Sequence, residues 1–209
     1  MRVERSFTHY ENIRAYLEKE QGYPADVQDA ILELYKGKLT TQREAHSGEG
    51  IFFVSKVLRE FGIWSKQSVF TAGRYIEEQL IQSHLIAYYT KLQSIGTMVV
   101  MKLENDATHT LKEVFDMFAP LEEGFVKTVI PLKKVCPYGE PIARSQARRV
   151  VYRLEQFKQV EFDCDGIEFM GQGFADEVFR VFQNRYPEIQ LEITNANETV
   201  LGMVQHVKR

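Results

Sequence analysis

An α/β chain in two parts is predicted, an α+β first part followed by a small sheet with helices, and three observations predict it. Beyond residue 125, strand-like stretches alternate with helix-like stretches across short joints. That alternation is the pattern of an open α/β sheet with helices packed against it. Before residue 106 the order differs: helix-like segments come first, and then strand-like pieces rich in β-branched and aromatic residues, as in a mixed or antiparallel sheet. Between the two, "THTLKEVFDMFAP" (108–120) and "LEEGF" (121–125) read as a connecting helix and a joint. The expected divisions are therefore 1–106, 107–124 and 125–209.

Taken in order, residues 10–20 and 24–36 read as helices. In the second, Val27, Ala30, Ile31 and Leu34 recur at helical spacing, with Pro24 near the start. "KGKLTTQREAHSGEG" (36–50) is a polar loop. A helix follows to about Phe61, with Gly62 expected just past its end. Strands are expected over 68–76, 85–91 and 96–104, the last with enough apolar residues on both sides to be buried on both faces. Thr108 is the expected cap of the connecting helix, with Leu111, Val114, Phe115 and Phe118 as its apolar stripe. The second part then reads as strand (125–135), helix capped by Ser145 (145–157), strand (159–170), helix closed by Pro187 (173–187), strand (189–195) and helix capped by Asn197 (197–209). Phe174, Val178, Phe179 and Phe182, with Val150, Val151, Leu154 and Phe157, are the expected helical core.

The totals exclude several classes. The chain has 209 residues, 44% hydrophobic and 26% charged, an ordinary globular composition. A net charge of −3 gives no electrostatic footprint for nucleic acid. Cys136 and Cys164 fit no metal spacing and read as reduced thiols. The N-terminal "MRVERSFTHYENIR" lacks an apolar core, so no signal peptide is expected, and no run approaches the roughly 18 apolar residues of a membrane span. A cytoplasmic location with no membrane partner is the expectation.

One stretch invites a chemical reading. In "REAHSGEGIFFVSKVLREFG" (43–62), Gly48 and Gly50 sit one residue apart and open a helix. A glycine turn at a helix N-terminus can hold phosphate on its backbone amides. It can equally be a tight turn in which glycine supplies a positive φ. Glu49, inside the turn, opposes an anion. His46 lacks a carboxylate partner, and Lys36, Lys38 and Arg43 read as a hydrated basic loop, so no catalytic residue is expected here. Arg144, Arg148, Arg149 and Arg153 crowd one helix and read as a solvated face offset by Glu155, Glu161 and Asp163. Asp176 and Glu177 favour the dipole at the start of their helix.

Two segments carry a resemblance. "ILELYKGKLTTQREAHSGEGIFFVSKV" (31–57) resembles the back half of a histidine-kinase-like (GHKL) ATPase domain. Residues 144–207 resemble the STAS-like domain of unknown function that follows such domains in bacterial proteins. The resemblance implies a four-part ATP site, of which Gly48 and Gly50 match the second glycine box and Gly96 and Thr97 the late Gly-Thr pair. No room for the helix that supplies the magnesium ligand precedes this match, and Glu4, Arg5, Ser6, Phe7 and Thr8 stand where the first glycine box belongs. The implied fold is a truncated GHKL sandwich, with no cofactor expected; ATP and magnesium enter only if another chain or an upstream segment supplies the missing parts. STAS domains in partner switches are phosphorylated at a Ser or Thr between a strand and a helix. Here Gly171, Gln172 and Gly173 occupy that turn, so the implied role is docking of a protein partner or an anion without a phospho-acceptor. The expected function is regulatory, through a protein partner or a homo-oligomer; the alternative is a GHKL-type kinase or ATPase.

Overall fold

In the computed structural model the described residues are 9–21, 25–39, 48–65, 68–73, 97–103, 105, 110–136 and 139–209. The chain divides into two units, Met1–Val114 and Phe115–Arg209. The expected strand at 85–91 lies outside the described residues, as do Thr108, His46, Arg43 and Gly96.

The first unit begins with α1 (His9–Gln21), α2 (Val27–Lys36) and α3 (Gly50–Val57). Asp26 caps α2, accepting from Asp29 N–H at 2.9 Å, while the Asp29 carboxylate accepts from Asp26 N–H. An antiparallel sheet follows, β1 (Glu60–Ser65), β2 (Ser68–Gly73) and β3 (Thr97–Lys102), in the order β2-β1-β3. Its register sets Ile63 between Phe70 and Val99, and Phe61 between Ala72 and Met101. Phe61, Ile63, Phe70 and Ala72 are buried, as are Tyr10, Ile13 and Leu17 of α1, Ala30, Ile31, Leu34 and Tyr35 of α2, and Phe52 and Phe53 of α3. Two tyrosines tie helix to sheet. Tyr10 Oη donates to Ile63 O at 2.6 Å and accepts from Phe70 N–H at 3.0 Å, and Tyr35 Oη donates to Thr71 O at 2.8 Å. Each keeps a buried hydroxyl satisfied while its ring fills the core.

Two expectations fail in this unit. The helix that opens at Gly50 ends at Val57, and Gly62 lies inside β1. A side chain at Gly62 would run into the ring of Trp64, so the glycine is there for a close approach on the sheet. Trp64 is 4% exposed and packs with Val69, Met98 and Val100. Gly62→Ala should displace this ring and lower stability by about 1–3 kcal/mol. Trp64 is the sole tryptophan of the chain, so a red shift of intrinsic fluorescence is the readout, and an unmoved spectrum with unchanged stability would refute the packing. β3 is not buried on both faces either: Val99 and Met101 are 48% and 62% exposed. They share a face with Ile63 and Phe61, yet β3 is the strand farthest from β2, where α2 and α3 pack.

The second unit starts within α4 (Leu111–Phe118). Thr110 caps it: Glu113 N–H donates to Thr110 Oγ1 at 3.2 Å, and Thr110 N–H donates to Glu113 Oε2 at 2.7 Å. Val114 and Phe118 are buried, but Leu111 and Phe115 of the expected stripe are 55% and 40% exposed. Next come β4 (Lys127–Pro131), a helical turn α5 (Leu132–Val135), α6 (Arg144–Val151) and β5 (Gln159–Asp163). Then α7 runs as α-helical Gln172–Asp176, π-helical Glu177–Phe182 and α-helical Gln183–Arg185, before β6 (Gln190–Thr194) and α8 (Glu198–Val207). The sheet is parallel, in the order β4-β5-β6. One row across it is Thr128–Val160–Leu191 and the next is Ile130–Phe162–Ile193. The first two members of each row are 0% exposed, and α7 packs between α6 and α8. Phe174, Val178, Phe179, Phe182, Val150, Leu154 and Phe157 are buried as expected, while Val151 is half-buried.

Several boundaries move for local reasons. The first strand stops at Pro131 and turns into α5, which buries Leu132 and Val135. The strand expected over 159–170 ends at Asp163, before a turn at Gly166 with φ 70°. The helix at 145–157 ends at Val151, because Arg153 adopts φ 64° and Leu154–Gln156 forms a 3-10 turn. Ser145 is not its cap: Ala143 holds the N-cap position, and the Gln146 carbonyl oxygen accepts from Ala143 and Ile142 N–H at 2.6 and 3.0 Å. Asn197 does cap α8, with its Oδ1 accepting from Val200 N–H at 2.9 Å.

Candidate functional site

In an open parallel sheet the loops beyond the carboxyl ends of the strands form the usual binding edge. Here those ends are Pro131, Asp163 and Thr194, and three loops meet beyond them. Gly171 N–H donates to Pro141 O at 2.9 Å, and Phe169 N–H donates to Glu140 Oε2 at 3.2 Å. Lys133 Nζ holds the other Glu140 oxygen at 3.0 Å, and Gln146 Nε2 donates to Glu140 O at 3.1 Å. From the third loop, Asn197 Nδ2 donates to Ile167 O and Glu168 O, both at 3.1 Å, and Asn195 Nδ2 donates to Asp163 Oδ1 at 2.9 Å. Burial pushes the Glu140 carboxyl up, but the hydrogen bonds from Lys133 and the Phe169 amide, with the Lys133 charge, outweigh it, so its pKa lies below the usual range. The lock it forms is therefore present above the ordinary glutamate pKa and is lost as pH falls through the lower folded value. The two loops joined in this way present Ile142 (53% exposed) and Phe169 (46%) to solvent.

The turn Gly171–Gln172–Gly173 opens α7 at this edge. A Cβ on Gly171 would collide with Ile142 O, whereas one on Gly173 would only come into contact with Arg144 N. Gly171 thus lets the 141–144 segment lie against the helix start, and its amide is committed to Pro141 O.

Beside this turn the arginines find partners that the sequence did not indicate. Arg144 Nη2 lies 2.8 Å from Asp176 Oδ2, Arg148 Nε 3.1 Å from Glu177 Oε1, and Arg180 also pairs with Asp176. For Arg144 and Arg148 these carboxylate partners lie on α7 instead of at Glu155, Glu161 or Asp163, and Glu161 pairs with Lys127 at 3.0 Å. The Arg180 hydrogen bond, against a burial that works the other way, and the Arg180 and Arg144 charges hold the Asp176 carboxyl below its usual range. Glu177 is 8% exposed, and among the described residues its Oε2 has no hydrogen-bond partner, with Arg144 Nε 3.6 Å away. Glu177 also opens the π-helical turn, a distortion that recurs at functional sites. No sequence signal marks a π turn.

Cys136 and Cys164 are both buried and unoxidised. Burial is the main cause that pushes each thiol up to about 12. At neutral pH both are protonated, so an aromatic disulfide reagent should label neither until the unit unfolds. Fast labelling of the folded chain would contradict their placement.

The other expected site lies in the first unit. Gly48 has φ 79°, and Gly50 is the first residue of α3, with open space around its missing side chain. Glu49 is the N-cap residue without a side-chain capping bond. Lys38 approaches it: burial lowers the Lys38 pKa, and the Glu49 charge partly restores it. The turn thus carries a negative charge of its own, which opposes an anion there. α3 packs on β1 and β2, and Thr97 lies on β3, so the two fragments fall on different elements. Among the described residues no group of three or more His, Cys, Asp or Glu side chains is gathered to hold a metal ion, and no helix is long and apolar enough to cross a membrane.

No curated protein and no solved structure gives a significant match. No family match supports the GHKL resemblance of the first part. One family model does match, over α6, β5, α7, β6 and the start of α8: residues 146–201 are similar to a STAS-like domain of unknown function (DUF4325).

Proposed function

We propose that this chain is a non-catalytic, cytoplasmic regulatory module that works by docking another protein on the loop edge of its STAS-like unit. The observation that carries the reading is the pair Ile142 and Phe169, large apolar side chains held half-open on two loops that hydrogen bonds lock together. An apolar pair beside a charged arginine–carboxylate cluster has the make-up of a protein-binding spot, apolar at the centre and polar at the rim. The Gly171–Gln172–Gly173 turn offers no hydroxyl, so phosphorylation at this turn plays no part; binding alone carries the signal. Affinity purification of tagged full chain, wild type against Phe169→Ser and Ile142→Ser, tests this: one partner should be retained by the wild type and lost by both variants. Partners retained equally by all three would end the reading.

A second reading has one observation in its favour, the positive φ of Gly48, two residues before an eight-residue helix. It makes the first unit the lower half of a GHKL-type ATP site, with Gly48, Gly50, Gly96 and Thr97 on the nucleotide and the magnesium ligands supplied by another chain. Calorimetry with Mg-ATP decides between them. The isolated chain should give no heat of binding under the first reading, and micromolar binding would favour the second.

A further inference from the structure

The outer edge of β6 is open, and its chemistry defines what fits it. Gln190 N–H donates to Lys158 O at 2.8 Å, and Thr194 O accepts from Cys164 N–H at 2.9 Å. Main-chain groups alternate in direction along a strand, so Gln190, Glu192 and Thr194 address β5, and Leu191 and Ile193 turn their N–H and C=O outward. The preceding outward residue is closed off: Ile189 N–H donates to Tyr186 O at 3.2 Å, and Ile189 O accepts from Gln183 Nε2 at 2.9 Å. At the far end Asn195 leaves the strand with φ 55°. Two donors and two acceptors remain, and among the described residues no strand lies beside them.

The opposite edge of the same sheet is defended. Gln159 N–H donates to Val126 O at 3.1 Å, which turns Lys127, Val129 and Pro131 of β4 outward. Pro131 has no N–H, a common way to block edge pairing. β6 has no proline, no lysine and an unbroken register with β5.

The side chains set the sequence of a suitable guest. On the helix side the core rows finish at Leu191 and Ile193, which are half-buried where their neighbours on β4 and β5 are fully buried. On the other side lie Gln190, Glu192 and Thr194. Lys127 sits 3.0 Å from Glu161 and 3.7 Å from Glu192, so one cation serves two carboxylates and the strand face is net negative.

We infer that the β6 edge takes an extended segment of another protein in which apolar residues alternate with Lys or Arg. Its main chain pairs with Leu191 and Ile193, its apolar side chains continue the two core rows, and a basic residue faces Glu192. A second copy of β6 fits worse. The antiparallel self-pairing that uses all four open groups sets Leu191 of one copy against Ile193 of the other and brings two Glu192 carboxylates face to face. This edge is separate from Ile142 and Phe169, so either surface can fail without the other.

The probes are two capped peptides, Val-Lys-Val-Lys-Val-Lys-Val and the same sequence with Glu for Lys, titrated into nitrogen-15-labelled full chain. The basic peptide should shift the Leu191 and Ile193 amides, slow their hydrogen exchange and bind about three- to tenfold more tightly than the acidic one. Glu192→Lys should reverse that preference; if it fails to fold, Glu192→Gln decides by abolishing it. Equal affinity for both peptides, no binding of either, shifts confined to other residues, or a preference unmoved by the Glu192 variants each overturns the inference. So does a dimer by light scattering whose Leu191 and Ile193 amides are already protected, since the occupant would then be a second copy.

Discussion

Phe162→Ala is expected to destabilise the second unit by about 3–5 kcal/mol, the usual cost of emptying a fully buried aromatic site. Phe162 is 0% exposed at the centre of the parallel sheet, between Ile130 of β4 and Ile193 of β6. Its ring meets Phe179 of α7 edge to face, with centroids 5.6 Å apart. The truncation therefore removes the contact between the sheet and the helix that packs between the other two. Against a typical domain stability of about 5–15 kcal/mol, such a loss leaves the unit marginal. Urea unfolding followed by far-ultraviolet circular dichroism measures it. Phe162→Leu, which keeps most of the volume, should cost less than about 1.5 kcal/mol. Near-equal midpoints for the two variants would place Phe162 outside the core.

Gly171→Ala is expected to cost about 1–3 kcal/mol for a single added methyl group, by overpacking. Gly171 has an ordinary extended backbone, φ −72° and ψ 144°, so no backbone strain is involved. The cost is steric. The new carbon would press on the main chain of Ile142, which has no flexible end to swing aside. Relief requires the 141–144 segment to move off α7, breaking the bond from Gly171 N–H to Pro141 O and shifting Ile142 and Arg144. Gly202→Ala is the control. Gly202 lies inside α8 with open space around it, and the same change there should stabilise by about 0.5–1 kcal/mol through helix propensity. A Gly171 variant as stable as the Gly202 variant would mean that the two loops are not in contact.

Element type was legible along most of the described chain because it follows from local pattern. The spacing of Val178, Phe179 and Phe182 marks a helix by itself, and Asn197 before "ETVLGMV" marks its own cap. Local pattern misjudged Gly62, since helix stop and strand glycine look alike in one dimension and only Trp64, folded back over it, separates them. It misjudged β3 because apolar residues on both sides of a strand do not reveal how far the helices reach across a sheet. The GQG turn was found from sequence, but its bond to Pro141 was not, as that partner lies some thirty positions away. The same holds for Arg144 and Arg148, whose carboxylates were sought nearby along the chain and lie on α7.

From the amino-acid sequence alone came the class of fold, the order of strands and helices, the helical core and the missing hydroxyl at the turn that opens α7. These depend on spacing and side-chain type, which need no third dimension. Tertiary structure alone decided that Glu140 clamps two loops, that Asp176 and Glu177 gather three arginines, and that β6 presents an undefended edge while β4 does not. Each of these is a meeting of distant residues or a direction of main-chain groups, and a linear pattern carries neither.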